Sequence, residues 1–313
     1  MKKGFAQFTK RKLHLINVAA VIFVCCLVSI AVAQNTNKPG RQRQQQPTTN
    51  RTGSEAPRGN FMSPQGEVMT WTINGEKREA LVFAPTDDMA KKRPLVFAWH
   101  GHGGNMQGTS QLMHLQTVWP EAIIVYPQGL PTKSHVDPQG IRPGWQQTAG
   151  TDGDRDLKFF DAMLDTLHQK YTIDDERVYT TGFSNGGVFS YLLWAERAKV
   201  IAAVGEVAGR LFDPPEHLSQ PRAVLAIAGS ADTTDPFNLQ KATIDNDDRP
   251  VDNATGQGQQ CAVPNGAASG TKCTLYTSTS HTPVKEVIHP GAHVYPNWAP
   301  AEIVEFFKNH KLA

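Results

Sequence analysis

Cysteine is scarce in this chain, four residues in 313, and Cys25 and Cys26 fall inside an N-terminal apolar run. Only Cys261 and Cys273 remain downstream, too few to staple a small disulfide scaffold. They lack C-x-x-C spacing and have no further cysteines or histidines close by, which argues against a redox pair or a zinc centre. A short Gly/Asn/Ser-rich loop separates them, so in an exported chain one local disulfide is expected. An excess of charge is missing as well: 31 Lys and Arg oppose 29 Asp and Glu, and aromatic residues make up 8%. No basic patch is interleaved with aromatics beyond about residue 66, so a nucleic-acid partner is not expected. There is no internal repeat.

The basic residues that do exist gather at the front. Lys2, Lys3, Lys10, Arg11 and Lys12 precede the apolar run Ile16 to Ala33, which ends in Ala31-Val32-Ala33 before Gln34. A positive segment, an apolar segment and an A-x-A site predict a secretory signal peptide over 1–33, and hence a secreted or periplasmic protein. The run is long enough that an uncleaved membrane anchor is the alternative, and only then is a membrane a partner. Residues 34–65 are Gln, Asn, Thr, Arg, Pro and Gly with almost no aliphatic side chain, a polar linker that cannot order itself by burial.

From residue 66 to 313 one domain is expected. Alternating runs on either side of Asn74-Gly75 predict an antiparallel hairpin. Pro94 to Trp99, Glu121 to Pro127, Val200 to Gly205 and Ala223 to Ala228 are short apolar runs of the kind buried on both faces of a parallel sheet. Asp156 to Lys170 carries Leu157, Phe160, Leu164 and Leu167 on one helical face, and a closing helix runs from about Ala299 to Asn309. Strands alternating with helices predict an α/β fold, a mostly parallel sheet covered on both faces.

The stretch that carries chemistry is Val178 to Trp194. A β-branched run enters Gly182-Phe183-Ser184-Asn185-Gly186 and an apolar-periodic helix leaves it, the strand-to-helix setting of a nucleophile elbow. Serine is a weak nucleophile, so it needs a strained, exposed position beside a base and near a helix N-terminus. Asn185 would then present a backbone N–H to an oxyanion, and His100-Gly101-His102-Gly103-Gly104, straight after a buried strand, offers a second donor, His102. No carboxylate or third histidine stands at ligand spacing from His100 and His102, so neither a metal nor a cofactor is expected. Downstream, Asp232 follows a strand end and is the expected acid, with Asp235 as rival. His293, on a Gly-flanked loop before the last helix, is the expected base, with His289 as rival. Trp145, on the Gly/Pro-rich excursion between Gly129 and Gly153, is either a substrate wall or a packing residue. That excursion is also a candidate lid.

These segments, with Gly229-Ser230-Ala231-Asp232 and Gly291-Ala292-His293-Val294-Tyr295-Pro296, resemble the α/β-hydrolase family of polyhydroxybutyrate depolymerases and secreted feruloyl or acetylxylan esterases, in order and spacing from about residue 66 to the C-terminus. The resemblance implies an α/β-hydrolase fold, a Ser184–Asp232–His293 triad, and Asn185 and His102 as the oxyanion hole. Family members often have His-Gly where this chain has Ala228-Gly229, and Trp where it has Tyr295, which marks Tyr295 as a substrate-binding candidate. The expected activity is serine carboxylic-ester hydrolysis through an acyl-enzyme, on feruloyl or acetyl esters of plant cell-wall polysaccharide. Hydroxyalkanoate polyester is the second substrate class, although no polymer-binding module is visible. A non-catalytic envelope binding protein is the rival of another class and predicts a broken triad.

Overall fold

Asn74 and Gly75 both adopt positive φ, 52° and 84°, and close a two-residue turn between β1 (Glu67–Ile73) and β2 (Glu76–Phe83), with Ile73 facing Glu76. This is a computed structural model describing residues 66–88, 90–212 and 217–312; the leader and linker expected at 1–33 and 34–65 lie outside the described residues. The other strands of the main sheet, apart from a small two-stranded pair of Leu130–Pro131 with Pro143–Gly144, are β3 (Arg93–Trp99), β4 (Ile123–Pro127), β5 (Ile173–Phe183), β6 (Ala203–Val207), β7 (Ala223–Gly229), β8 (Gln259–Gln260), β9 (Lys272–Tyr276) and β10 (Val284–His289). Among the described residues they form one sheet in the order β1-β2-β4-β3-β5-β6-β7-β10-β9-β8, parallel from β4 to β10 and antiparallel at both ends.

Side chains alternate across the strands, and the two faces bury separate clusters. Leu95, Phe97 and Trp99 of β3 pack with α2 (Arg155–Lys170) and α3 (Asn185–Arg197). Val96 and Ala98 pack with α1 (Met106–Met113) and α4 (Ala299–Lys308). On α2 the apolar stripe is Leu157, Phe159, Phe160, Met163 and Leu167, with Leu164 only partly covered. The apolar run at Val200 begins too early to be all strand. The N–H groups of Val200 and Ile201 turn back to the Arg197 carbonyl and finish α3, so β6 starts at Ala203. Cys261 and Cys273 are bonded, with Cα atoms 5.1 Å apart, and the bond ties the chain just after β8 to β9.

Beside α3 lie three fully buried carboxyls: Glu206, Asp248 and Asp252. Glu206 accepts the Gly209 N–H at 2.8 Å, Asp248 the Tyr191 hydroxyl at 2.8 Å, and Asp252 the Arg222 N–H at 2.6 Å. None of the three has a cation opposite it in an ion pair among the described residues. Burial pushes Asp252 up to about 9 and raises Asp248 and Glu206 well above the carboxylate range. The fold therefore holds protons that the unfolded chain releases near pH 4. For Asp252, each unit of pH between about 4 and 9 removes up to about 1.4 kcal/mol of stability, and above 9 its contribution to the slope ends. Asp252→Asn should flatten the decline in urea-unfolding stability between pH 5 and 9. An unchanged slope in that variant would show that Asp252 is already ionised in the fold.

Candidate active site

The turn after β5 is built by glycines with no room for a side chain. A Cβ on Gly182 would stand 2.2 Å from the Gly186 carbonyl group, and one on Gly186 would stand 2.2 Å from the Trp99 carbonyl oxygen. The close approach brings the start of α3 against the end of β3 and forces Ser184 to φ 56°, ψ −122°, a conformation rare for a side-chain-bearing residue. Two bonds hold it there: the Ser184 N–H donates to the Val207 carbonyl at 2.8 Å, and its carbonyl accepts the Val188 N–H at 3.0 Å.

Ser184, Asp232 and His293 follow the C-terminal ends of β5, β7 and β10, where open parallel sheets present their chemistry. Ser184 Oγ lies 2.8 Å from His293 Nε2, and His293 Nδ1 lies 2.7 Å from Asp232 Oδ2. The Asp232 carboxylate is fully buried, and its other oxygen accepts the N–H groups of Thr234 at 2.9 Å and Asp235 at 3.1 Å. The Gln240 amide adds a third donor, at 2.9 Å to Oδ2. This cage aims Oδ2 at the ring, leaving Nε2 as the free acceptor for the serine proton. The rivals stand elsewhere. Asp235 pairs with Arg210 at 2.7 Å, and His289 turns its Nδ1 to the Gly291 N–H at 3.1 Å.

The N–H of Asn185, at the first position of α3, and that of His102 have no hydrogen-bond partner among the described residues. Ser184, Asn185 and His102 line one small cleft. The excursion after β4 braces both donors. Asp137 accepts the His102 ring Nε2–H at 3.1 Å and the Arg142 N–H at 2.9 Å, and the Gly103 N–H reaches the Pro143 carbonyl at 2.6 Å. The Arg142 N–H, followed by the His102 ring, holds the Asp137 carboxyl below the usual carboxylate range. On the other side the Trp145 N–H donates to the Asn185 amide oxygen at 2.7 Å, and the Asn185 amide donates back to the Trp145 carbonyl at 3.1 Å.

Trp145 is therefore not a substrate wall: it is fully buried and its indole N–H donates to the His100 carbonyl at 2.9 Å. Tyr295 does not line the cavity. Its ring meets Phe183 edge-on at 5.9 Å and its hydroxyl is enclosed, so it supports the elbow from beneath. His100 is neutral, lowered to about 4 by burial, and its Nε2 accepts the Gly129 N–H at 2.9 Å. Among the described residues no three His, Cys, Asp or Glu side chains are grouped to hold a metal ion. Asp137, Gln240, Arg210 and Phe212 carry no local sequence signal. Each matters through a partner far along the chain or through the cavity wall.

No family model matches the chain. Feruloyl esterase C of Emericella nidulans is 30% identical over 242 residues, spanning 75% of this chain and 84% of that protein. The probable feruloyl esterase C of Aspergillus niger is 29% identical over 247 residues with the same two shares, and feruloyl esterase D of Neurospora crassa is 34% identical over 176 residues, 53% of this chain and 57% of that one. Among solved structures, acetyl xylan esterase from Aspergillus awamori superposes with a TM-score of 0.58 at 15% identity, covering 78% of this chain and 100% of that one. A ferulic acid esterase from Anaeromyces mucronatus, in complex with ferulic acid, gives a TM-score of 0.52 at 17% identity, covering 82% and 93%. At those identities the structural likeness speaks for a shared α/β-hydrolase fold.

Proposed function

The chain belongs to the feruloyl esterase family, and from that premise we propose that it is an exported serine carboxylic-ester hydrolase acting through an acyl-enzyme on feruloyl or acetyl esters of plant cell-wall polysaccharide. The observation that carries the reading is the continuous relay Ser184–His293–Asp232, with links of 2.8 and 2.7 Å. His293 Nε2 takes the Ser184 proton as Oγ attacks the ester carbonyl, and buried Asp232 stabilises the imidazolium. The Asn185 and His102 N–H groups hold the oxyanion. His293 then protonates the departing alcohol, and a water activated by the same ring releases the acid. No step calls for a cofactor.

Residues 66–313, produced oxidised, should release acid from methyl ferulate or from acetylated xylan. A soluble 3-hydroxybutyrate oligomer serves as the contrasting polyester substrate, and release from that alone would move the substrate class. Failure on all three and on an activated ester would overturn the esterase reading in favour of a binding protein.

The excursion should matter to kcat more than to KM, because it braces donors that bind the oxyanion and not the ground-state ester. Asp137→Ala is expected to lower kcat by about 10-fold or more with KM little changed, and Asp137→Asn, which keeps an acceptor for the His102 ring, should recover most of it. A rise in KM at constant kcat would place Asp137 in ground-state binding instead.

A further inference from the structure

The donors to the Asp232 carboxylate differ in where they come from. The N–H groups of Thr234 and Asp235 stand two and three residues on in the same turn, and both go to Oδ1. They fix that oxygen to its own loop. Apart from the His293 ring, only the Gln240 amide reaches Oδ2 among the described residues, and it comes from the short helix Phe237–Thr243. That helix is tied to the body of the fold. Its first N–H donates to the Asp232 carbonyl at 3.1 Å, the Thr243 hydroxyl accepts the Leu211 N–H at 3.2 Å, and the next residue, Ile244, is fully buried in the core.

The orientation of that amide is imposed by its surroundings. Gln240 is 1% exposed, and both Nε2 protons are used, one on Asp232 Oδ2 at 2.9 Å and one on the Asp235 carbonyl. Turned over, the amide would set Oε1 against two oxygens that can only accept. As it stands, Oε1 is enclosed and has no hydrogen-bond partner. A buried acceptor without a donor is costly and uncommon in a native fold. Methionine would fill the same space without an unpaired oxygen of its own, so packing alone does not account for an amide here. Glutamine leaves its own acceptor empty and commits both donors to the turn that carries the triad acid.

Without Gln240, Asp232 would stay pinned at Oδ1, and Oδ2 could rotate about that anchor, off the line to Nδ1. We infer that Gln240 is a positioning residue for the relay: its amide holds Asp232 Oδ2 in line with the His293 Nδ1–H, and so keeps Nε2 facing Ser184 Oγ. The inference rests on the esterase reading above and deepens it.

Gln240→Met keeps the volume and removes both donors. It should lower kcat by about 10-fold or more on every ester the wild type cleaves, with KM little changed, since the relay loses its alignment while the cleft stays intact. The specific readout is the His293 Nδ1 proton in a proton NMR spectrum taken in water, which lies far downfield because a carboxylate shares it. In Gln240→Met that resonance should move upfield and exchange faster with water. A merely structural role would lower activity without moving it. An unmoved resonance or an unchanged kcat overturns the inference. So does a further downfield move, which would mean that the amide only competes for the oxygen. Wild type supplies a test that stands even if the variant fails to fold: a Gln240 side-chain amide proton and the His293 ring proton point at one oxygen and should show a nuclear Overhauser contact. Its absence, with both protons visible, overturns the positioning role while leaving the esterase intact. Failure of wild type to cleave any ester, with that contact present, would instead sink the reaction and keep the arrangement.

Discussion

Ser184→Ala should abolish turnover of every ester the wild type cleaves, by about 10⁴- to 10⁶-fold in kcat, the loss seen when a serine nucleophile is removed from such a relay. The fold should survive. Ser184 is held through its backbone, by bonds to Val207 and Val188 that alanine retains, and its Oγ hydrogen-bonds only to His293 among the described residues. Ferulic acid should still bind, because the cavity walls and both oxyanion donors remain. Labelling by a fluorophosphonate probe should vanish in the same variant, since the probe needs the activated oxygen. The measurement is steady-state release of acid alongside a titration of bound acid. Retained turnover above about one per cent of wild type would mean that another nucleophile works in this cavity.

Gly186→Ala should be nearly as damaging to activity and should cost stability as well. The added Cβ would meet the Trp99 carbonyl oxygen at 2.2 Å, the Trp99 carbonyl carbon at 2.7 Å and the His100 carbonyl oxygen at 2.8 Å. All three are backbone atoms at the end of a central strand, so no side chain can swing aside. Either α3 rises or the segment 99–104 retreats, and that segment carries His102. Overpacking of this kind costs about 1–3 kcal/mol, and parting the two oxyanion donors should lower kcat by at least about 10²-fold. Gly256→Ala is the matched control, for nothing lies within 4 Å of a Cβ there. Urea unfolding and kcat on both variants check the expectation; a stable, fully active Gly186→Ala protein would show that the elbow has slack the packing denies.

Local patterns made much of the molecule legible. Asn74-Gly75 announced its hairpin because two successive positive φ values suit these residues and few others. The β3, β4 and β7 runs read as buried strands because a parallel sheet leaves no wet face for polar residues. The elbow was readable because backbone crowding between a strand and a helix dictates glycine two residues on either side of the serine. The start of β6 lies three residues beyond the start of its apolar run, since apolar composition does not reveal that the Arg197 carbonyl claims the N–H groups of Val200 and Ile201.

What the sequence by itself determined was the set of local conformations, and from them the fold class and the place of the serine, because sterics and period act over a few residues. Which of two aspartates and two histidines turns towards Ser184 was decided only in three dimensions. Asp232 is set by donors from Thr234, Asp235 and Gln240, and it meets a histidine 61 residues away. Only the tertiary structure made Trp145 a buried brace, joined Asp137 to His102 across 35 residues, and turned the unused acid Asp235 into part of the cavity wall. Hydrogen bonds and burial at such separations depend on how loops from different strand ends meet, and no local pattern of residues encodes that meeting.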